Sequence, residues 1–361
     1  MKFATPLLAA ALLAGSALVP AFSCTRTLYV GDDHTVLTGR NMDWKEDMQS
    51  NLYLFPAGMK RDGASGPKSI AWTAKYGSVI VAGYEAGTTD GLNEKGLHVG
   101  GFFFPGYAQY ENVAEADYPS TISCLEVASW ILANCSSVAE AREQLPKIHV
   151  SSVAATELGY SPPLHMFISD KSGDAAIVEY VAGKLNIYDN KVNVITNSPD
   201  YIWQTANLRN YIGIEAANKP AITINGNQFA QFGQGSGAIG LPGDFTPPSR
   251  FVRAVFLVNT ALQGKNIDEG IAVAFHILNQ FDIPLGAVKG EQDGVTTYDT
   301  TQWTCASDLT NSRYFYHTYN DRSVRMIDLK ELDLNAADVK VVKVKDVQKP
   351  GQVKDVSAEL K

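Results

Sequence analysis

The chain has 361 residues, a formal net charge of −8 and 45% apolar residues. Charged residues make up 19% of the sequence, and this balance is typical of a folded globular protein rather than a disordered one. An acidic chain without a basic stripe is not expected to bind nucleic acid. The six histidines show no metal-ligand spacing, so we predict neither a metal nor another cofactor.

The first 23 residues are predicted to be a cleaved signal peptide. Lys2 supplies a positive charge, residues 7–19 are mostly apolar, and Ala21-Phe22-Ser23 is typical of a signal peptidase site. The apolar run is too short to span a membrane well, so we expect no stable membrane insertion after cleavage. These features predict a periplasmic or secreted protein whose single mature domain, residues 24–361, begins with Cys24.

Downstream of this segment, strand patterns and helix patterns come in separate blocks. Strands are predicted first at Thr27–Val30, Thr35–Thr38, Ser78–Tyr84 and Leu97–Phe104. Helices follow at Ile122–Asn134 and from a capping box at Ser137–Glu140 to about Leu145. The next strands are predicted at Leu164–Ser169, Ala175–Val181, Lys184–Tyr188 and Val192–Thr196. Helices return at Ile202–Tyr211, Phe251–Leu262 and Asp268–Gln280, and the last strands at Thr296–Thr304, Arg313–Tyr319, Val324–Asp328 and Val339–Val344. Such blocks favour an α+β fold of mostly antiparallel sheets covered by helices.

The cysteine spacing argues against a structural disulfide. The chain has four cysteines, Cys24, Cys124, Cys135 and Cys305. Cys124 and Cys135 lie in one predicted helix, where a rise of roughly 1.5 Å per residue separates them by about 16 Å. A disulfide requires Cα atoms within about 7 Å of each other. We therefore predict an unpaired thiol at Cys24.

A cysteine at the mature N-terminus has a base of its own. Its thiol has an ordinary pKa of about 8.5, which leaves little thiolate at neutral pH. The α-amine, freed by cleavage after Ser23, can take the thiol proton and later protonate the leaving amine. Two alternatives stay open: Cys24 is the lipid-modified first residue of a lipoprotein, or it is a cysteine near a chain end without a role.

The segment Gly39-Arg40-Asn41-Met42-Asp43-Trp44 lies one short hairpin after Cys24. A strand, a turn at Gly31-Asp32-Asp33 and a second strand would return Arg40 and Asp43 to the side of Cys24. An aspartate there can orient the α-amine, and an arginine there favours the thiolate. A surface ion pair is the alternative interpretation of the two residues.

Cys24-Thr25 followed by Gly39–Asp43 resembles the start of the choloylglycine hydrolase family, which contains bile-salt hydrolases, penicillin V acylases and related N-acyl amidases. Further segments continue the resemblance, namely Asp90–Leu97, Leu164–Asp170, Thr196–Pro199, Leu241–Thr246 with Ser249–Phe251, and Phe275–Asn279. They spread from Cys24 to about Tyr319. Their order and spacing together carry the resemblance, since no single motif would suffice.

The resemblance implies a four-layer αββα N-terminal nucleophile hydrolase sandwich, with two antiparallel sheets between helical layers. It implies that Cys24 is the nucleophile and, through its amine, the base, and that Asp43 binds that amine. Arg40 and Arg250 would line the site and stabilise charge, and Asn197 would offer a side-chain N–H to the oxyanion. The resemblance also implies a homo-oligomer, specifically a homotetramer, and a small-molecule N-acyl amide as substrate.

The sequence departs from the family pattern at Phe103, two residues before Pro105, where bile-salt hydrolases tend to carry asparagine. An aromatic side chain at this position favours an aromatic or plain alkyl acyl group over a steroid conjugate. We expect an apolar acyl pocket with the following candidate walls: Met42, Trp44, Tyr84, Phe102, Phe103 and Phe104.

The sequence therefore predicts an exported cysteine amidase of the penicillin V acylase type, with N-acyl homoserine lactones as further candidate substrates. A bile-salt hydrolase is the alternative within the same family. A lipid-anchored protein that binds amphiphiles without turnover is the alternative of another class. The mass of the mature N-terminus separates the two classes, because one has a free amine and the other a diacylglyceryl adduct.

Overall fold

The computed structural model describes residues 23–292 and 294–344, together with Ser357. The predicted signal peptide, apart from Ser23, lies outside the described residues. The bond between Ser23 and Cys24 is intact in this structure, so the backbone nitrogen of Cys24 is an amide. Within the described ranges, no helix is both long and apolar enough to cross a membrane.

Twenty-one strands and five α-helices are found in the described part of the chain. The strands are, in chain order, β1 (Thr25–Val30), β2 (Val36–Trp44), β3 (Asn51–Phe55), β4 (Lys60–Asp62), β5 (Ala71–Thr73), β6 (Ser78–Gly83), β7 (Gly87–Asn93), β8 (Leu97–Phe103), β9 (Thr121–Ser123), β10 (His149–Ser151), β11 (Leu164–Asp170), β12 (Ala175–Val181), β13 (Lys184–Asp189), β14 (Val194–Ile195), β15 (Ile222–Ile224), β16 (Asn227–Phe229), β17 (Val288–Gln292), β18 (Val295–Asp308), β19 (Arg313–Thr318), β20 (Arg325–Asp328) and β21 (Lys340–Lys343). The α-helices are α1 (Val127–Asn134), α2 (Val138–Gln144), α3 (Tyr201–Asn207), α4 (Pro247–Thr260) and α5 (Ile267–Leu278).

Two large antiparallel sheets form the centre of the molecule. The first runs in the order β14-β1-β2-β18-β19-β20, and β17 also pairs with β18. The second runs in the order β13-β12-β11-β8-β7-β6-β3-β21. Helices α4 and α5 pack on strands of the first sheet, and α1 and α2 pack on strands of the second. The layers are therefore helix, sheet, sheet, helix, which confirms the predicted αββα sandwich.

Apolar side chains fill each space between layers, because each sheet must bury both of its faces. The cluster that includes the inter-sheet residues contains Leu28, Val79, Phe167 and Ile177. A second cluster joins α1 and α2 to the second sheet through Val99, Ile131, Val138 and Ile168. A smaller cluster joins α5 to the first sheet through Leu37, Ile271 and Phe275. Strand β2 is buried along its whole length, which places its side chains at the centre of the fold.

The helix predicted at Ile122–Asn134 is wrong in its first turn. Residues Thr121–Ser123 form strand β9, which pairs in parallel with β10, and the helix begins at Val127. Cys124 therefore lies before the helix and Cys135 at its C-cap. The four cysteines, all of them among the described residues, form no disulfide.

Strand β7 is absent from the predicted elements although it lies near the middle of the second sheet. Its sequence, with two glycines, Asp90 and Asn93, has low intrinsic β propensity. Pairing with β6 on one side and β8 on the other holds it extended. This strand brings the carboxyl group of Asp90 into the space between the sheets, where it is fully buried.

Candidate active site

The hairpin of β1 and β2 places Cys24 in the lining of a cavity. Thr25 pairs with Asn41 and Arg26 with Arg40, so the residue before Thr25 lies beside Met42. The Cys24 sulfur lies 3.8 Å from the Met42 sulfur and 3.9 Å from the Asp43 carbonyl oxygen. Its side chain is only 2% exposed.

The backbone nitrogen of Cys24 points toward the side chain of Asn197. This N–H donates to Asn197 Oδ1 at 2.8 Å. Asn197 follows the short strand β14, which pairs with β1, so two neighbouring strands fix the two residues relative to each other. The atom that becomes the α-amine on cleavage is thus already held in a defined place.

Arg250 lies in the first turn of α4 and reaches the same group of atoms. Its Nη1 donates to the Cys24 carbonyl oxygen at 2.5 Å and to Thr25 Oγ1 at 2.8 Å. Its Nη2 donates to Asn197 Oδ1 at 2.9 Å. Burial lowers the pKa of Arg250 to about 10, which still leaves the guanidinium charged near neutral pH. These bonds explain an arginine at a helix start, where the helix dipole disfavours a cation.

Asp43 has one satisfied and one unsatisfied carboxylate oxygen. Its Oδ1 accepts from Thr301 Oγ1 at 2.5 Å, whereas its Oδ2 is buried without a hydrogen-bond partner. Burial raises the pKa of Asp43 to about 8, although the Thr301 hydroxyl opposes that rise. A buried carboxylate oxygen without a donor is costly, and a free α-ammonium group at Cys24 would supply a donor of the right charge.

Arg40 lies on the cavity side of β2, and its guanidinium is held by backbone oxygens. Its Nη1 donates to the carbonyl oxygens of Thr89 at 2.7 Å and Gly101 at 2.8 Å. Burial raises the pKa of the Cys24 thiol, and the positive charge of Arg40 offsets only part of that rise. The expectation that an arginine favours the thiolate is thus incomplete, because burial has the larger effect while Cys24 is still joined to Ser23.

The side-chain amide of Asn197 is shared between two tasks. Its Nδ2 donates to the Phe103 carbonyl oxygen at 2.8 Å, and an amide nitrogen carries two hydrogens. One N–H is therefore used to fix the side chain, and the second is available to another acceptor. The oxyanion role of Asn197 stays a prediction that this arrangement permits.

The cavity beside Cys24 is apolar. The residues that line it are Cys24, Arg40, Met42, Trp44, Met48, Gly83, Tyr84, Ala86, Gly87, Thr88, Thr89, Gly101, Phe103, Leu125, Ala155, Leu158, Pro162 and Leu164. Four predicted walls, Met42, Trp44, Tyr84 and Phe103, are among them. Residues from several loops complete the lining, and no pattern in a single sequence marks those loop residues.

Phe102 and Phe104 are not cavity walls. Successive side chains of a strand point to opposite faces, so Phe103 alone of the three faces the cavity. The Arg40 guanidinium lies over the Phe102 ring at 4.2 Å from its centroid. Phe104 stacks on the His165 ring with centroids 4.1 Å apart. The prediction that these two rings line the pocket is therefore wrong.

Trp44 and Phe103 form a fixed aromatic wall. Their ring centroids are 5.7 Å apart in an edge-to-face arrangement. The Trp44 indole N–H donates to the Tyr84 hydroxyl at 2.7 Å, and that hydroxyl donates to Glu46 at 2.7 Å. Since the Tyr84 hydroxyl already has a donor and an acceptor, it contributes to the wall mainly as an apolar ring.

Known proteins are similar in sequence to this chain over most of its length. The profile of the linear amide C–N hydrolases, choloylglycine hydrolase family, matches residues 24–342, so the match begins at Cys24. This chain belongs to the choloylglycine hydrolase family. A bile salt hydrolase/transferase from Clostridium perfringens is 32% identical over 324 residues, which cover 89% of this chain and 96% of that protein. A penicillin V acylase from Pectobacterium atrosepticum is 32% identical over 354 residues, 90% of this chain and 85% of that protein.

Solved structures of related hydrolases have the same fold. A variant of conjugated bile acid hydrolase from Clostridium perfringens gives a TM-score of 0.81 at 31% identity, covering 92% of this chain and 100% of that chain. Penicillin V acylase from Agrobacterium tumefaciens gives 0.73 at 34% identity, covering 89% and 91%. This choloylglycine hydrolase family member is therefore an N-terminal nucleophile hydrolase that acts on linear amide C–N bonds.

Two polar residues of this hydrolase's site are missing from the sequence-based candidates. Thr301 holds Asp43, and Asp90 lies 4.0 Å from Arg40. Thr301 falls in a predicted strand, but only the pairing of β18 with β2 reveals that it faces Asp43. The described residues contain no group of three or more His, Cys, Asp or Glu side chains that could hold a metal.

The unsatisfied carboxylate of Asp43 predicts a pH-dependent stability for the hydrolase that retains Ser23. The pKa of Asp43 is about 8 in the folded chain and about 3.9 in an unfolded one. Stability is therefore lost as the pH rises from about 4 to about 8, by on the order of 5 kcal/mol. Asp43→Asn should remove this loss. Urea unfolding at pH 5, 7 and 9 measures it, and parallel pH profiles for the two chains would contradict the assignment.

Proposed function

We propose that the protein is an exported cysteine amidase that hydrolyses linear N-acyl amides, with the acyl preference of a penicillin V acylase. The observation that carries the proposal is the position of Cys24. Its sulfur faces an apolar cavity, while its backbone nitrogen faces Asn197. An acyl group in the cavity would place its carbonyl carbon near the sulfur, with polar groups on the side away from the cavity.

The proposed reaction begins when the Cys24 thiol gives its proton to the α-amine of the same residue. The thiolate attacks the carbonyl carbon, and a carbon–sulfur bond forms as the carbonyl oxygen becomes an oxyanion. The free N–H of Asn197 stabilises that oxyanion. The α-ammonium then protonates the leaving nitrogen, the C–N bond breaks, and water hydrolyses the thioester to release the acid.

The charged residues around Cys24 have separate roles in this reaction. Asp43 accepts a hydrogen bond from the α-ammonium through the oxygen that has no partner before cleavage. Arg250 donates hydrogen bonds to Asn197 and to the carbonyl group of Cys24. It therefore fixes the oxyanion donor and the nucleophile relative to each other. Arg40 supplies positive charge beside the sulfur. None of these steps requires a metal or another cofactor.

Export and activation are proposed to be one event. Ser23 is 2% exposed, and while it is attached the Cys24 nitrogen is an amide that cannot act as a base. Cleavage after Ser23 would release the amine at a position that Asn197 and Arg250 already define. The signal peptide proposed over residues 1–23 would then deliver an active enzyme to the periplasm or to the outside of the cell.

The aromatic wall supports an acyl group that is flat or flexible rather than a rigid steroid. One matching relative is a bile salt hydrolase/transferase and another is a penicillin V acylase. Similarity to relatives therefore does not decide between these two activities. Trp44 and Phe103 are held edge to face, and the Trp44 N–H is tied to Tyr84. Such a wall receives a phenoxyacetyl or medium-chain acyl group, including that of an N-acyl homoserine lactone.

We predict that phenoxyacetyl and medium-chain acyl amides are cut faster than glycine or taurine conjugates of bile acids. The expected difference in kcat/KM is about tenfold or more, since apolar pockets discriminate by about 1–3 kcal/mol per group. Measuring kcat/KM for one substrate of each kind tests it. Phe103→Asn should narrow the difference, and Tyr53→Phe, outside the cavity lining, is the control. A native preference for the bile-acid conjugate would contradict the proposal and favour the bile-salt alternative.

The protein is further proposed to act as a homo-oligomer, specifically a homotetramer. The hairpin of β15 and β16 carries apolar side chains that face solvent in the single chain: Ile222, Ile224 and Phe229. An exposed apolar patch of this kind is typical of a protein interface. Sedimentation velocity should give the mass of four chains, and Phe229→Asp should lower it. A native monomer at micromolar concentration would contradict this part of the proposal.

The lipoprotein alternative is less well supported. A lipid anchor on Cys24 would need its sulfur outside the fold, whereas the side chain is buried and faces the cavity. Mass spectrometry of the mature N-terminus separates the two, with a free cysteine expected and a diacylglyceryl adduct as the contrary result.

A further inference from the structure

Two arginines, Arg26 and Arg40, lie side by side between the two sheets, close in the chain to Cys24 and Met42. Arg26 on β1 and Arg40 on β2 are direct cross-strand partners, and both side chains are fully buried. Like charges opposite each other destabilise a sheet, and burial increases their repulsion. This pair therefore requires a counter-charge.

Asp90 supplies the counter-charge, but it lies closer to Arg26 than to Arg40. Its Oδ2 accepts a hydrogen bond from Arg26 Nη2, and the same oxygen lies 4.0 Å from Arg40 Nη1. Arg40 instead donates to the carbonyl oxygens of Thr89 and Gly101. The carboxylate is thus hydrogen-bonded to Arg26, whereas its ion pair with Arg40 is longer and has no hydrogen bond.

The other groups that face Asp90 leave this balance unchanged. His98 Nε2 lies 3.1 Å from Asp90 Oδ1, and burial lowers the pKa of His98 to about 4, so its ring is neutral. The Cys305 sulfur lies 3.6 Å from the same oxygen, and burial raises the pKa of that thiol to about 12. Burial alone would raise the pKa of Asp90, but Arg26, His98 and Arg40 together outweigh burial, lower that pKa and keep the carboxyl ionised.

Arg26 and Arg40 carry two positive charges and Asp90 carries one negative charge, so one positive charge remains. Because Asp90 is hydrogen-bonded to Arg26, the remaining charge is that of Arg40. The groups that act on the Cys24 thiol are Arg40, Asp43 and Arg250. Asp43 is the proposed partner of the Cys24 amine, and Arg250 donates to the Cys24 carbonyl oxygen. A thiolate at Cys24 would neutralise the remaining charge of Arg40.

We propose that Arg26 is a positioning residue for the nucleophile: by holding Asp90, it keeps that carboxylate from neutralising Arg40 and so reserves the charge of Arg40 for the Cys24 thiolate. This rests on the proposed role of Cys24. Arg26 acts through Asp90 and Arg40 and touches neither the substrate nor the sulfur. The Phe102 ring lies against both guanidinium groups.

The proposal predicts opposite effects from removing the two members of one ion pair. In Arg26→Met the freed Asp90 carboxylate pairs with Arg40, and the Cys24 thiol pKa rises. In Asp90→Asn both arginines lack a counter-charge, and the thiol pKa falls. In the double variant one arginine remains alone, and the thiol pKa returns close to the native value. Arg26→Lys keeps the charge and should stay nearer to native than Arg26→Met.

The test is the pH dependence of Cys24 alkylation by iodoacetamide in the mature chain, with the modified residue located by peptide mass. The expected shift is about one pKa unit in each direction, which changes the alkylation rate about tenfold at pH 7. Because no amide substrate is used, failure of the proposed enzyme activity would not alter this readout.

If the ion pair has only a structural role, the Cys24 thiol pKa should shift in the same direction in both single variants, or it should shift in neither. Either outcome overturns the proposal, and so does a double variant further from native than both single variants. Circular dichroism verifies the fold of each variant. If Arg26→Met does not fold, Asp90→Asn and the double variant decide. A thiol pKa that is lower in Asp90→Asn and close to native in the double variant supports the proposal, and any other pattern overturns it.

Discussion

Cys24→Ser should fold normally and lose amidase turnover by on the order of 100-fold or more. A serine hydroxyl is far less acidic than a thiol, and it is the poorer nucleophile when the α-amine is its base. Of the four cysteines, all of them among the described residues, only Cys24 lines the cavity, and Cys305 lies beside Asp90. Steady-state kinetics on a phenoxyacetyl amide measures the loss.

Cys124→Ser is the matched control for this prediction. Cys124 is also buried, but it belongs to the core cluster that packs α1 and α2 on the second sheet, its sulfur contacts Ser161, and it does not line the cavity. The same chemical change there should leave kcat within about twofold of native. Equal losses in the two variants would show that the loss reflects folding rather than the nucleophile.

A chain that begins at Ser23 instead of Cys24 should be inactive by about 100-fold or more, the usual contribution of a general base. The Cys24 nitrogen is then an amide that donates to Asn197, and it cannot take the thiol proton because its lone pair is delocalised into the carbonyl group. Its fold should be unchanged, because Ser23 is already accommodated in this structure. The comparison requires only the two purified chains and one substrate.

The chain that begins at Ser23 is also its own control, since circular dichroism and unfolding temperature report whether it is folded. Removing Ser23 with an aminopeptidase should restore turnover. Full activity before that removal would contradict the role of the amine as base.

The sequence was informative where function depends on residues close in the chain. The hairpin from Cys24 to Asp43 could be predicted from two β-rich runs and a turn, and it is present. The four-layer arrangement came from the resemblance, since strand and helix blocks alone indicate only an α+β fold. Periodicity could not order the strands within two sheets, because that order depends on pairing between distant segments.

Strand β7 illustrates what the sequence could not provide. Glycines and polar residues conceal it from any pattern of apolar alternation, and its neighbours β6 and β8 impose its extended form. Asp90 therefore stands out only once both sheets are assembled around it. The same holds for Arg26, whose proximity to Asp90 joins residues from two different sheets.

Phe102 and Phe104 show a narrower limit. Alternation along β8 predicts that Phe103 faces away from its two neighbours, but it does not say which face meets the cavity. The structure assigns the cavity to Phe103 and the guanidinium of Arg40 to Phe102. The residue types alone identify an apolar run at 102–104. Only the packing of the two sheets shows which of its side chains line the cavity.

The central claim is that the Cys24 sulfur carries the acyl group during turnover. Mature enzyme should be mixed with a phenoxyacetyl amide, quenched in acid within the first turnover and analysed by peptide mass spectrometry. We predict a phenoxyacetyl adduct on the N-terminal peptide at Cys24, which disappears as the thioester is hydrolysed and is absent from Cys24→Ser. An adduct on another residue, or none during measurable turnover, would contradict the account.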